Sequence, residues 1–296
     1  MKYGFMQMHE LEFSVQRMSN VFGVSRSGYY QYLKAPPSGR AQENERLLFK
    51  IRTIHEDSRG TYGSPRIWAE LREQGESCSR KRVSKIMKII GIEAKMKRRF
   101  KVTTRANPKA AVAPNLLEQD FISKEPNQRW VADFTYIATQ EGWLYVATVL
   151  DLFSRRIIGL AMSERMTDEL VIAALQQALI HRKPKVGLIH HSDRGSQYTS
   201  KDFRDVLKTF GIIASMSGKG NCYDNSVMES FYHTLKTEHV YFEHYNTREQ
   251  AKKSIFEYIE VFYNRQRRHS TLGYVAPSVF ENQWLQQNEV SLSAVH

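Results

Sequence analysis

The chain is short of cysteine: its 296 residues contain two, Cys78 and Cys222. Two distant thiols cannot build a disulfide framework or a cysteine-based zinc site, and a reducing compartment is the expected setting. Long apolar runs are also missing. No window approaches the roughly 18 to 20 apolar residues of a membrane helix, and the start MKYGFMQMHE does not read as a basic, apolar and small-residue leader. A soluble cytoplasmic protein is expected. Proline (8) and glycine (16) are sparse, and the composition is 41% hydrophobic and 25% charged, so disorder throughout or a fibrous architecture is excluded. The length suits about two domains.

Acidic residues are scarce in one region. Residues 1–110 hold 23 Lys+Arg and 10 Asp+Glu, leaving 20 and 21 for the remainder, so the first third carries the whole of the net +12. Such asymmetry points to a polyanion-facing module joined to a nearly neutral one, and nucleic acid is the leading partner.

The basic third has helical periodicity. Leu47, Leu48, Ile51 and Ile54 recur at helical spacing over 41–57, and Gly60 and Gly63 end the pattern. Ser64-Pro65 reads as an N-cap and first turn for a helix through Ile67, Trp68 and Leu71. After a turn at 74–76, a helix begins at Ser79 and runs through Val83, Ile86, Met87 and Ile90 to a left-handed stop at Gly91. Its Arg80, Lys81, Arg82, Lys85 and Lys88 crowd a helix whose dipole disfavours cations at that end, which a phosphate partner explains. Two short helices with a basic second member match a helix-turn-helix, whose second helix enters the major groove. A weaker unit precedes it, with helices over 15–22 and 25–33 split by Gly23. The expected organisation is a short helical region with a possible partial helix-turn-helix (1–38), a helix-turn-helix-like DNA-binding domain (39–94), a basic linker (95–119) including Arg98 and Arg99, a catalytic domain (120–285) and a tail (286–296).

Beyond Pro114 the periodicity turns strand-like. WVADFTYIAT (130–139), WLYVATVLDL (143–152) and IIGLAM (157–162) read as three antiparallel strands, followed by a helix over 167–182, a strand over 186–190, a helix over 201–210 and a strand over 212–216. The result is an α/β layer architecture with a mixed sheet. Asp133 interrupts an apolar strand, and Asp193 follows a strand's carboxyl end, where such sheets place ligands. Glu229, His233 and Lys236 form a polar stripe on a helix whose Val227, Phe231 and Leu235 face the other way. Clustered carboxylates suit Mg²⁺ or Mn²⁺, which take hard oxygen ligands, but 31 acids allow many triples.

The motifs narrow the choice. WVADFTYI, HSDRGSQY, and DNSVMESF with Lys236 seven residues past Glu229 resemble the catalytic core of DDE transposases and retroviral integrases, and 35 residues separate Asp193 from Glu229, the spacing that names that group. SRGTYGSPRI, EGWLYVATVLDLFSRRIIG, NCYDNS and YNRQRRHSTLGYVAP resemble more narrowly the OrfB-type transposases of bacterial insertion sequences, over about Val15 to Phe280. The resemblance implies a ribonuclease H-like domain in which Asp133, Asp193 and Glu229 hold two Mg²⁺ ions, with Mn²⁺ able to substitute, and Lys236 meets the DNA end. It implies 3'-end nicking by water and strand transfer by the freed 3'-OH, double-stranded DNA as element end and target, a homo-oligomer on DNA, and an upstream OrfA-type partner or frameshifted fusion. The zinc module of retroviral integrases is absent, as no cysteine precedes Cys78.

Other residues carry plainer readings. His190 and His191 are expected to be structural, Asp151 to form a turn or pair with Arg155 or Arg156, and Asp224 and Asn225 to cap the Glu229 helix. Arg265, Arg267 and Arg268 either grip DNA or complement a helix end. Two rivals remain: a DNA-binding regulator with an inactive integrase-like domain, and a metal-dependent nuclease that does not join.

Overall fold

The computed structural model describes residues 2–95, 113–218 and 222–293. Most of the expected basic linker, Arg98 and Arg99 included, lies outside those residues.

The basic third is helical. Helices α1 (Lys2–Met8), α2 (Val15–Phe22) and α3 (Arg26–Lys34) pack around Met6, Met18 and Tyr29. The Ser14 and Ser25 hydroxyls cap α2 and α3, accepting from the Arg17 and Gly28 amides, and Gly23 takes the left-handed conformation that stops α2. Helix α1 lies in the region expected to be helical, although the sequence pattern placed no separate helix there. Helices α4 (Gly39–Asp57), α5 (Ser64–Glu73) and α6 (Arg80–Ile89) form the second unit around Leu47, Ile51, Ile54, Ile67, Leu71, Val83, Ile86 and Met87. Ser79 caps α6 through the Arg82 amide. The cap of α5 is Gly63, one residue earlier than Ser64, because Ser64 is itself helical and Pro65 fills the first turn.

A five-stranded sheet in the order β3-β2-β1-β4-β5 builds the rest, from β1 (Arg129–Thr139), β2 (Gly142–Asp151), β3 (Ile157–Ser163), β4 (Ile189–Ser192) and β5 (Ile213–Met216). The first three strands are antiparallel, and β4 runs parallel to both β1 and β5. The strand expected at 186–190 begins three residues later, since Val186 and Gly187 form a turn with Gly187 at φ 95°. Strand alternation sends Trp130, Ala132, Ala147 and Val149 to a core shared with α7 (Asp168–Arg182) and α8 (Lys201–Thr209). Val131, Ile137, Leu144 and Val146 face α9 (Ser226–Glu238) and α10 (Arg248–Glu257), in a core continuous with that of α4 to α6. Gly159 lets β3 approach α7 closely, because a Cβ there would lie 2.2 Å from the Ala174 carbonyl oxygen. Past α10 a wide π turn spans Tyr258–Tyr263, and α11 (Pro277–Ser293) runs into the segment expected to be a tail, of which 294–296 lie outside the described residues.

Candidate active site

Asp133 and Asp193 come from neighbouring parallel strands. Trp130 pairs with His190 and Val131 with His191, so continuing the register by two residues sets Asp133 level with Asp193, just beyond the end of β4. Asp133 is half-buried, and its Oδ1 accepts the Phe134 amide at 2.8 Å. Asp193 is also half-buried and forms a tight turn in which Oδ1 accepts the Gly195 amide at 2.9 Å. A Cβ at Gly195 would stand 3.0 Å from that oxygen, so a side chain there would crowd the turn. Its neighbours anchor the loop: Arg194 donates to the Ser217 carbonyl (2.6 Å), and the buried His191 bonds the Ser215 and Ser217 hydroxyls (2.8 and 3.2 Å).

Helix α9 brings Glu229. The Tyr232 hydroxyl, one turn on, donates to the Asp133 carbonyl at 2.7 Å, which leaves its lone pairs to accept from Thr148 at 2.8 Å. Asn225 occupies the N-cap of α9, but its amide reaches the Ala132 carbonyl (3.5 Å) rather than the helix, and its buried Oδ1 has no partner. Asp224 does not cap either. Its carboxylate accepts the Gly218 amide (2.7 Å) and the Gln119 side chain (3.2 Å), fastening the preceding loop to 119. Tyr232 and the loop-tying His191 and Asp224 were not recognised as site supports from sequence; Tyr232 had a signal, standing three residues past Glu229 on the same face.

The electrostatics link the three acids. Burial, then the Asp193 charge and less strongly Glu229, push the Asp133 carboxyl well above its ordinary range, against the Phe134 amide and Lys236. Burial also raises Asp193, opposed by the Gly195 amide, and raises Glu229. Lys236 is half-buried, with Nζ 5.3 Å from the centre of the Tyr136 ring. Burial lowers its pKa and the Asp133 charge raises it. An all-oxygen donor set whose charges disfavour one another is chemically suited to a hard divalent cation. Among the described residues, though, no three His, Cys, Asp or Glu side chains are gathered at ligating distance. Glu229 is exposed.

His190 packs among Tyr198 and Phe203 as a core residue. Asp151 forms the expected turn, accepting the Asn127 and Phe153 amides, but pairs with neither arginine: Arg155 donates to the Phe121 carbonyl and Arg156 faces Glu281.

The basic residues divide. Arg80, Lys81 and Lys85 on α6 are exposed, as is Arg265. Three others are not free for DNA. Arg82 turns back onto Asn44 and Glu43 of α4, both at 2.8 Å. Arg267 is 4% exposed and grips Glu238 with two hydrogen bonds, and Arg268 binds Glu70 and Glu73 of α5. These arginines satisfy carboxylates that are half-buried at Glu43, Glu70 and Glu238 and exposed at Glu73.

Comparisons with known proteins agree with this architecture. Residues 42–100 match an HTH-like domain, and residues 123–222 and 229–285 match two integrase core domain models. The chain is 50% identical to the insertion element IS600 uncharacterized 31 kDa protein of Shigella sonnei, over 91% of this chain and 99% of that one. It is 44% identical to the transposase InsF for insertion sequence IS3A of Escherichia coli, over 95% and 99%. The HTLV-2 integrase catalytic core domain, solved in complex with magnesium, is similar at 19% identity and a TM-score of 0.33, over 39% of this chain and 71% of that chain. With nearly the whole length of both proteins aligned at 44% identity, the chain belongs to the family of IS3 insertion-sequence transposases, enzymes of the DDE transposase and integrase class built from an HTH-like domain and an integrase core.

Proposed function

We propose that the protein cuts the 3' ends of an insertion sequence and joins them to target DNA, with Asp133, Asp193 and Glu229 as the catalytic carboxylates. The observation that supports this is that Asp133 on β1 stands level with Asp193 just past β4, while Glu229 on α9 is near enough for its charge, like that of Asp193, to raise the Asp133 pKa. These residues would hold two Mg²⁺ ions, or Mn²⁺ in their place, which when bound lower the pKa of the attacking oxygen and stabilise the charge on phosphorus and on the leaving oxygen. The chain's own part is to align the reactants. Asp133 is held by the sheet and Tyr232, Asp193 by its turn, and Glu229 by α9.

In the first step a water oxygen bonds to phosphorus as the P–O bond to the element's 3' oxygen breaks, the proton leaving to solvent and the 3'-OH being freed. In the second, that 3'-OH attacks a target phosphodiester, and one phosphoester bond replaces another without a covalent protein intermediate. Lys236, facing Asp133 beside Tyr136, contacts the DNA end as a point charge. Arg80, Lys81 and Lys85 supply the phosphate contacts of the HTH-like domain, with Arg265 and, from the linker, Arg98 and Arg99 adding to them. The active form is a homo-oligomer on double-stranded DNA in the cytoplasm, with an upstream OrfA-type segment as partner or fusion.

The test is incubation with Mg²⁺ and a labelled duplex carrying an element end. Nicked and joined products together support the reading. Nicks without joining mean a nuclease, and binding with neither product means a DNA-binding regulator.

A further inference from the structure

Between the DNA-docking helices and the catalytic helix lies a bridge of charged residues. Glu238, the last residue of α9, stands two residues past Lys236 and nine past Glu229. A carboxylate at a helix C-terminus opposes the dipole, so the helix itself gains nothing from it. Its partners come from elsewhere: Arg267 donates twice (2.7 and 2.6 Å), Tyr258 once (3.1 Å), and Arg66 of α5 lies at 3.4 Å. Burial pushes the Glu238 carboxyl up, but the Arg267 hydrogen bonds and the charges of Arg267 and Arg66 outweigh it and hold the group below its ordinary range.

Further ties join the two modules. Arg66 Nε donates to the Arg268 carbonyl (3.0 Å), and the Arg268 amide donates to the Tyr62 hydroxyl (2.7 Å), which in turn donates to the Gln266 carbonyl (3.1 Å). The Arg268 guanidinium reaches Glu70 (2.6 Å) and Glu73. At the margin Arg59 pairs with Glu257 (2.8 Å) and lies 5.0 Å over the Phe262 ring. The wide turn at 258–263 sets the spacing, since the Arg267 amide bonds back five residues to the Phe262 carbonyl. Thus α5 is locked to the catalytic module while α6 keeps Arg80, Lys81 and Lys85 exposed.

We infer that this bridge fixes the distance between the DNA segment held by α6 and the phosphodiester at the Asp133 site, and so determines which phosphodiester is cut. Glu238, Arg66, Arg267 and Arg268 are positioning residues in this role. The inference rests on the proposed cutting activity. A directional polar bridge suits it, because apolar packing of similar volume commonly matches a buried ion pair in stability and supplies less orientation.

The test maps nicks at nucleotide resolution on a labelled element end. Glu70→Arg/Glu73→Arg repels Arg268, and its added positive charge leaves DNA affinity no weaker than wild type. Wild type is expected to cut at one phosphodiester, the double variant to spread its cuts over neighbouring ones, and the swap Glu70→Arg/Glu73→Arg/Arg268→Glu to restore the single position. Arg66→Met, which keeps an apolar stem, is expected to spread the cuts as well. A single wild-type position in both disrupted variants overturns the inference, and so does loss of cutting that the swap does not restore. A wild type that cuts nothing contradicts the proposed function instead. The bridge is then read without cutting, from nitroxides at Ser84→Cys and His233→Cys in a background with Cys78 and Cys222 replaced by Ser. One narrow distance that broadens in Glu70→Arg/Glu73→Arg supports it, and an unchanged distance overturns it.

Discussion

The Tyr232 hydroxyl donates across 2.7 Å to the main-chain carbonyl of Asp133, so the helix that carries Glu229 is pinned to the strand that carries Asp133 at the acid itself. Removing that hydroxyl leaves the fully buried Thr148 hydroxyl without its partner, a cost of about 1–3 kcal/mol. Tyr232→Phe is therefore expected to lower unfolding stability by about that amount in denaturant titration. Strand cutting is expected to fall about tenfold or more, as a small displacement between catalytic groups is costly.

The exposed and the engaged basic residues should separate in a salt titration. If the basic region neutralises about 8 phosphates, the logarithm of DNA affinity falls with the logarithm of salt at a slope of about -7. Lys81→Ala or Lys85→Ala is expected to reduce the slope by about 1, whereas Arg82→Ala, whose guanidinium is held by Glu43 and Asn44, leaves it unchanged. Equal effects from all three would show that the α6 surface is not divided as described.

His190 is buried, with Nε2 unpartnered, and burial, then the charge of His191, lowers its pKa to about 3. The unfolded chain takes up a proton near pH 6.5, where the folded one does not. The stability contributed by neutral His190 is complete above that pH and drains away as pH falls toward 3, by up to about 2.7 kcal/mol between pH 6.5 and 4.5. The denaturant midpoint of wild type should fall relative to that of His190→Phe across that range as pH falls. Parallel curves would show that His190 takes up its proton when folded.

Much of this was legible because local rules carried it. The period-two runs located β1, β2 and β3 to within a residue at either end, and Ser79 and Gly91 marked the limits of α6 as expected. Asp133 stood out as a charge in an apolar strand. Legibility failed where the deciding partner lies far along the chain. Arg267 and Arg268 form a basic cluster in sequence, and only folding brings Glu238, Glu70 and Glu73 against them. Asp224 has cap chemistry, yet Gly218 and Gln119 take its oxygens. At β4, the apolar Val186 counted as strand although it sits exposed in a turn, a distinction periodicity does not carry over so few residues.

Glu281 shows the same long-range chemistry at the other end of the chain. It is 2% exposed and takes hydrogen bonds from Arg182 and from Ser154 (2.8 Å), so that α11 is clamped to α7 and to the turn after β2. Glu281→Ala leaves Arg182 uncompensated and is expected to cost about 3–5 kcal/mol, measured by chemical denaturation. A loss below about 1 kcal/mol would mean that α11 is not clamped there.

The most direct measurement compares Mg²⁺-dependent nicked and joined products for wild type, Asp133→Asn, Asp193→Asn and Glu229→Gln on one labelled DNA end, with DNA affinity measured alongside. Each single substitution is expected to reduce both products by about 10³ or more, as groups that act as a unit do, while affinity stays near wild type. Products from Glu229→Gln equal to those of wild type would contradict the three-carboxylate site.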